Sequence, residues 1–534
     1  MARRLPFATR RRLGFDGLPG KWQSHATMNQ YLSAVILSAA TLAAGAQTVT
    51  NPVPRAGIRE MSLKDCIQTA LQYNFDVQIQ RENVAVQRYG LKGDYGGYDP
   101  TFNVSGQANH YNQNYYTQVP QTNGTYQYVT IPTISDSDLF KSDVGGVAPW
   151  GLTYDFFGTI AESVNTSLGS PRAEDSSGQV GVTVSQPLLK NFWIDTTRLT
   201  ISLAKNSLDQ SEQGLRLQLI TSVAAVQNAY YELIYAQQNV KVQQEALALA
   251  QTQLDQDRQR VEVGSLAPLD VQQDEAQVAS SQANLITAWN TLSIDQNALK
   301  GLVVNDYSHW HETTIQPSES LSADPQTFDL QSCWAKGLVK RPDLVQAKLT
   351  VEAQGITLKY DRNQLYPLLD LNGQYGYNGL GPVYSGAFGQ IGDVNQPFYY
   401  YGASLSIPLS NVKARNTLKS DKATLRQKLL TLKELEQNIM LAIDNAVQQV
   451  AADYQGVQAS KQARIYAAAA LDAEEKKYNV GKSTTFTVLQ LQNTLTSDRG
   501  AELRSIANYD EDIAKLAQAE GTTLDELNID LKLR

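Results

Sequence analysis

The chain is poor in the residues that do chemistry. It has two cysteines, Cys66 and Cys333, and four histidines in 534 residues. Two distant cysteines make no disulfide framework. Histidines cluster once, at His309-Trp310-His311, and two imidazoles without acidic or thiol partners do not make a metal site. There is no Gly-x-Ser-x-Gly, no Walker loop and no His-Glu-x-x-His. No paired carboxylates offer acid–base chemistry. No catalytic, cofactor-binding or metal residue is assigned, and the chain reads as a non-enzyme. Long apolar runs are also missing. Beyond residue 46 nothing approaches the roughly 20 residues of a spanning helix, which leaves a β-barrel as a way across a membrane.

The N-terminus has the layout of a secretory signal. Six basic residues from Arg3 to Lys21 precede the apolar run 31–44, which ends in Ala44-Gly45-Ala46. Met28 is a possible alternative start. Removing residues 1–46 takes away six basic residues and one acidic one, so the net charge falls from −8 to −13. An acidic chain of this kind argues against a nucleic-acid partner.

Proline is absent between Pro187 and Pro268 and again after Pro408. In the first stretch an apolar stripe runs through Leu219, Val226, Leu233, Val240, Leu247, Leu254 and Val261. After the turn Val263-Gly264-Ser265-Leu266-Ala267-Pro268 it resumes at Val271, Val278, Leu285, Leu292 and Leu299. A step of seven is the coiled-coil period. The pattern predicts two very long helices folded back at one tip, the first roughly 100 Å long at 1.5 Å per residue.

The order then repeats. Met61-Ser-Leu63-Lys-Asp-Cys66 matches Phe328-Asp-Leu330-Gln-Ser-Cys333, and Pro100 matches Pro367, at an offset of 267. Val182-Thr-Val184-Ser-Gln186-Pro187 matches Ala403-Ser-Leu405-Ser-Ile407-Pro408, and Val263-Gly264 matches Val480-Gly481. A lead-in at 47–60 therefore precedes two units. Unit 61–327 has a helix at 61–97, strands and an external loop at 101–190, a long hairpin at 195–302 and a connector at 303–327. Unit 328–520 has a helix at 328–362, strands and a loop at 368–409, and a long hairpin at 411–520. A tail covers 521–534. Each unit supplies two principal strands, with a further strand pair possible around 144–164 inside the Gly/Ser/Thr/Asn-rich segment 120–177. Four strands cannot close a barrel in lipid, so the chain must share one with copies of itself. Two copies give eight strands and little lumen, and three give twelve. Tyrosines near the strands, among them Tyr115, Tyr116, Tyr375 and Tyr399, suit an interfacial girdle.

Several stretches carry a resemblance to one family. They are Lys340-Arg341-Pro342-Asp343-Leu344 with Gln364-Leu365-Tyr366-Pro367, Arg260-Val-Glu-Val-Gly264-Ser with Asp270-Val271, and Lys477-Tyr478-Asn-Val-Gly481-Lys. In their doubled order, over roughly residues 60–520, the chain resembles the TolC-like outer-membrane efflux (outer-membrane factor) family. The resemblance implies a mainly α fold with membrane β. It implies a homotrimeric, 12-stranded β-barrel continued by a 12-helix periplasmic α-barrel, in the outer membrane. It implies a passive channel-tunnel, docked to a periplasmic adaptor and an inner-membrane pump, that exports drugs, metals or proteins. The contrasting reading is a structural or adhesive surface coiled coil on a small barrel.

Val263, Gly264, Ser265, Val480, Gly481 and Lys482 are the expected adaptor-contact tips. Asp270, Asp274, Tyr478, Thr487 and Gln490 are the expected periplasmic entrance. Asp270 and Tyr478 lie within a turn or two of the tips and suit a latch. Asp270 and Asp274, four apart on one helix, suit an acidic collar. Members of the family often carry acids where Thr487 and Gln490 stand, which puts cation gating at that ring in doubt.

Overall fold

The computed structural model describes residues 57–167 and 173–529. The signal reading of residues 1–46 lies outside the described residues. In chain order the elements are β1 (Ile58–Met61), α1 (Leu63–Tyr73), α2 (Phe75–Asp94), β2 (Thr101–Pro120), β3 (Tyr126–Val147), β4 (Thr153–Ser167) and β5 (Ala173–Pro187). There follow α3 (Thr196–Glu262), α4 (Pro268–Val303), α5 (Tyr307–Trp310), β6 (Thr314–Pro317), α6 (Leu330–Lys340) and α7 (Pro342–Asn363). The chain continues with β7 (Leu368–Gly381), α8 (Tyr384–Gly392), β8 (Pro397–Ser406), α9 (Val412–Asn479), α10 (Thr485–Glu520) and α11 (Thr523–Glu526).

The two long hairpins form where proline is absent. α3 and α4 have 67 and 36 residues, and α9 and α10 have 68 and 36. The seven-residue stripe is the seam: Leu219, Val226, Leu233, Val240, Leu254, Leu285 and Leu299 are all buried. The shorter helices break where the sequence makes them. The expected helix 61–97 divides at Asn74, whose extended backbone ends α1 and whose side chain accepts from Asp76 N–H and Val77 N–H at the start of α2. The expected helix 328–362 divides at Arg341, held extended by Pro342. Ser62 and Asp65 close a capping box on α1.

One apolar core joins α1 and α2 to α3 and α4, with Val77, Leu219, Val226 and Leu233 at its centre. A second joins α6 and α7 to α9 and α10 around Leu344, Ile439, Ile443 and Leu516. Cys66 and Cys333 fall in separate cores as buried free thiols. β1 and β6 form a small parallel pair that strand patterning had not indicated.

The main sheet has six strands in the order β2-β3-β4-β5-β7-β8, every neighbouring pair antiparallel. This corrects the count of four strands per chain, and twelve strands from three copies no longer follow from it. The added strands β3 and β4 lie in segment 120–177, whose Ser, Thr, Gly and Asp content hid a weak period-two pattern.

One face of this sheet is apolar. In register across all six strands run Phe102, Val144, Phe156, Val182, Tyr375 and Tyr399. The opposite face carries Thr101, Gly145, Asp155, Thr183, Gln374 and Tyr400 in one row and Ser105, Lys141, Thr159, Gln179 and Asn378 in another. Leu139, Phe157, Leu380 and Phe398 are apolar exceptions on that polar face. Junctions with the long helices all lie at one end of the sheet, where Pro187 pairs with Asp370 and Leu368 with Ser406. At the other end α8 folds back onto the apolar face. Ala387 is fully buried there, and a Cβ on Gly379 would lie 2.1 Å from its carbonyl oxygen, so only glycine admits the helix. β2 and β3 continue as a two-stranded ribbon past Thr133, the last β3 residue paired to β4.

Candidate functional site

Both long hairpins turn in the same way. α3 runs through Val263 into Gly264 with φ +76°, and α9 runs through Val480 into Gly481 with φ +72°. Ser265 N–H donates to the Arg260 carbonyl and Gly264 N–H to the Val261 carbonyl. Lys482 and Gly481 repeat the pair on Lys477 and Tyr478. This is the Schellman closure, which needs a left-handed residue after the helix. Nothing lies within 4 Å of a Cβ built on either glycine. Val263 is 78% exposed and Val480 68%. The six expected tip residues therefore sit on two free turns, tied by Arg260 Nη2 donating to Asn479 Oδ1 at 2.8 Å.

Just behind the turns the seam becomes polar. Asp257 of α3 is fully buried and gathers donors from three elements. Tyr478 Oη donates to Asp257 Oδ1 at 2.7 Å, and Gln253 Nε2 to Asp257 Oδ2 at 2.7 Å. Thr485 Oγ1 reaches Oδ2 at 3.4 Å and Tyr478 Oη at 2.9 Å. Arg260 completes the group, with Nη1 3.5 Å from Asp257 Oδ1 and its guanidinium 4.5 Å above the Tyr478 ring. Asp274 of α4 is also fully buried, and neither of its oxygens has a hydrogen-bond partner in ordinary geometry. Burial first, then the charge of Asp257, pushes its carboxyl up to about 7. Burial likewise raises the Tyr478 phenol.

The expected entrance residues thus divide. Tyr478 joins Asp257 rather than Asp270, which is half-buried in the first turn of α4. The collar of Asp270 with Asp274 does not form, because Asp274 points into the seam, away from solvent. Thr487 lies in the first turn of α10, where its N–H donates to Oγ1 of the capping residue Thr484 at 3.4 Å. Gln490 lines a groove of about 830 Å³ between α4 and α10 with Gln273, Phe486, Leu489 and Asn493. Asp257, Gln253, Arg260 and Thr485 were not singled out by sequence. The available signal was position: Asp257 follows Leu254 by three, and Asp274 follows Val271 by three. Both are second seam positions of the heptad, where an acid is buried. Among the described residues no cluster could hold a metal ion, and His309 instead pairs with Asp306.

Residues 152–303 and 336–522, which contain both tips, match the family described as outer membrane efflux protein. The chain belongs to that family. TolC of Vibrio cholerae is 27% identical over 376 residues, covering 68% of this chain and 81% of its own length. The pyoverdine export outer membrane protein OpmQ of Pseudomonas putida is 25% identical over 354 residues, 64% of this chain and 70% of that one. The solved Campylobacter jejuni CmeC outer membrane channel shares the fold, with a TM-score of 0.62 at 14% identity over 88% of this chain and 90% of that one. As a family member the efflux protein is a passive outer-membrane channel that exports its substrates, and not an enzyme.

Proposed function

We propose that this efflux protein acts as a homotrimer, with its sheets forming one barrel in the outer-membrane lipid and its long hairpins forming a twelve-helix periplasmic tunnel. The sheet with one apolar and one polar face, continued by two hairpins of nearly equal length, carries this reading. It suits a wall that meets lipid outside and water inside. The near-equal hairpins and the matched turns support a chain built from one unit used twice, divided near residue 327. Open flanks support assembly. β2, α2 and α4 stand on one side, with Ile79, Val86, Tyr89 and Trp289 exposed. β8 and α9 stand on the other, with Leu430, Leu441 and Tyr466 exposed. Two different apolar flanks suit a head-to-tail ring.

The tips Val263, Gly264, Ser265, Val480, Gly481 and Lys482 are the surface for a periplasmic adaptor. An inner-membrane pump supplies the energy, since the sequence carries no Walker loop. The cargo is small molecules such as drugs or metals, or proteins. Tyr478, Asp257 and Arg260 hold the closed mouth, with Asp270, Thr487 and Gln490 around it. A hydrogen bond to a buried carboxylate contributes about 1.5–3 kcal/mol, enough to favour the closed tips. Purified protein in a planar bilayer tests the latch. Tyr478→Phe is expected to raise single-channel conductance several-fold over wild type. Unchanged conductance rejects the latch.

A further inference from the structure

We propose that neighbouring copies pair β8 of one chain with β2 of the next, and that the barrel closes with eighteen strands. The proposal rests on the trimeric reading and on the six-stranded sheet. Its central question is whether the hairpin β2–β3 belongs to the wall or stands outside it.

The lower half of the hairpin has the chemistry of the wall. From Thr101 to Ala108, β2 alternates Phe102, Val104, Gly106 and Ala108 on the apolar face with Asn103, Ser105 and Gln107 on the polar face. β3 answers with Val144 and Phe140 on the first face and Asp143 and Lys141 on the second, broken by Ser142 and Asp138 on the first and Leu139 on the second. Phe102 and Val144 continue the row of Phe156, Val182, Tyr375 and Tyr399 at the same level. Above Ala108 the alternation stops. Asn109, His110, Asn112 and Gln113 face Ser137, Asp136, Ile134 and Thr133, and His110 pairs with Asp136. The two-faced stretch is eight residues long, just under the 9–11 residues of a membrane strand. A hairpin standing free in water has no use for one apolar face at that level.

The edges fit each other. β2 leaves the helical end of the sheet and β8 returns to it, so β8 and the next copy's β2 run antiparallel and the alternation continues unbroken. Both edges carry apolar side chains on the same sheet face: Phe102 and Val104 on β2, Tyr399, Tyr401 and Leu405 on β8. An unpaired edge is forbidden in lipid, and β4 is not available as a substitute because β3 and β5 already occupy both of its edges. Barrel diameter grows roughly linearly with strand number, so this exit is about half again as wide as one of twelve strands.

Electron cryomicroscopy of the detergent-purified, unmodified protein, at a resolution that separates strands, tests the proposal. Cysteine cross-linking in cells accompanies it, scanning Thr101→Cys, Asn103→Cys and Ser105→Cys against Ser404→Cys, with Thr159→Cys against Ser404→Cys as the rival pairing. The expected result is three copies, eighteen strands and a reducible inter-subunit band from the β2–β8 pairs alone. Three copies with twelve strands and a β4–β8 band overturn the proposal and leave the trimer standing. Two copies with twelve strands overturn both.

Discussion

The two longest helices, α3 and α9, differ by a single residue in length but much more in what surrounds them. α3 is packed by α2 and α4 and also by α7 and α10. Its seam residues Val226, Tyr230 and Leu233 are fully buried. α9 has α6, α7 and α10 beside it, yet leaves Leu430, Leu441 and Tyr466 in the open. The same helical length therefore serves two ends: α3 finishes its packing inside one chain, and α9 keeps apolar surface for something outside it. Hydrophobic patterning alone does not separate those cases, since both helices carry the stripe.

The contrast is sharpest for matched truncations. Tyr230→Ala removes a fully buried ring whose hydroxyl donates to the Met61 carbonyl at 3.1 Å. It is expected to cost about 3–5 kcal/mol in denaturant unfolding, whether or not chains assemble. Leu430→Ala, at a side chain 69% exposed, is expected to cost within about 0.5 kcal/mol in the dissociated chain. Its effect should appear as a weakened assembly by light scattering. Equal losses in the dissociated chain would erase the distinction.

A smaller effect tests the polar part of the α3 seam. The Asp274 carboxyl titrates at about 7 in the folded chain and near 4 when unfolded. The unfolded chain binds fewer protons between those values, so stability falls as pH rises from about 4 through 7. Asp274→Asn is expected to flatten that fall, on the order of 2 kcal/mol between pH 5 and 8, read as hydrogen-exchange protection of the tips. α9 carries its own raised acid in Asp453, pushed up to about 6 first by burial, so the second hairpin should keep its fall in the Asp274→Asn variant.

The smallest effect should be the same in both hairpins. Gly264→Ala and Gly481→Ala meet no atom within 4 Å, so only the positive φ resists them, at about 1 kcal/mol each. Thermal midpoints shifted unequally would mean that one tip carries packing the other lacks.

Much of this architecture was legible because it is periodic. The stripe from Leu219 to Leu299 and the glycine–proline turn at 264–268 marked a hairpin before any coordinates. The valines of β5, which share the apolar face of the sheet, marked a strand in the same way. β3 and β4 were harder to read, because a strand wet on one face and rich in Ser and Asp differs little from a loop. At the tips, Tyr478 could be placed from its distance to Gly481, but its partner could not. Asp257 lies more than 200 residues earlier, and only the packing of α3 against α10, the second arm of the α9 hairpin, brings the two within hydrogen-bond reach. Asp274 misled for a related reason: four-residue spacing puts it under Asp270, while a quarter-turn of the helix decides which of them sees water.

The ribbon above Thr133 ends in a turn that hangs free. Gly124 has φ +79° and a Cβ built on it would meet nothing within 4 Å, and Asn123 Oδ1 holds the turn by accepting from Thr125. A turn held only by its own atoms tolerates inserted sequence. A short foreign epitope placed after Asn123 would ride at the far end of the ribbon, away from every helix. Such a graft would turn this wall protein into a display scaffold for intact cells, with antibody labelling before lysis as its readout.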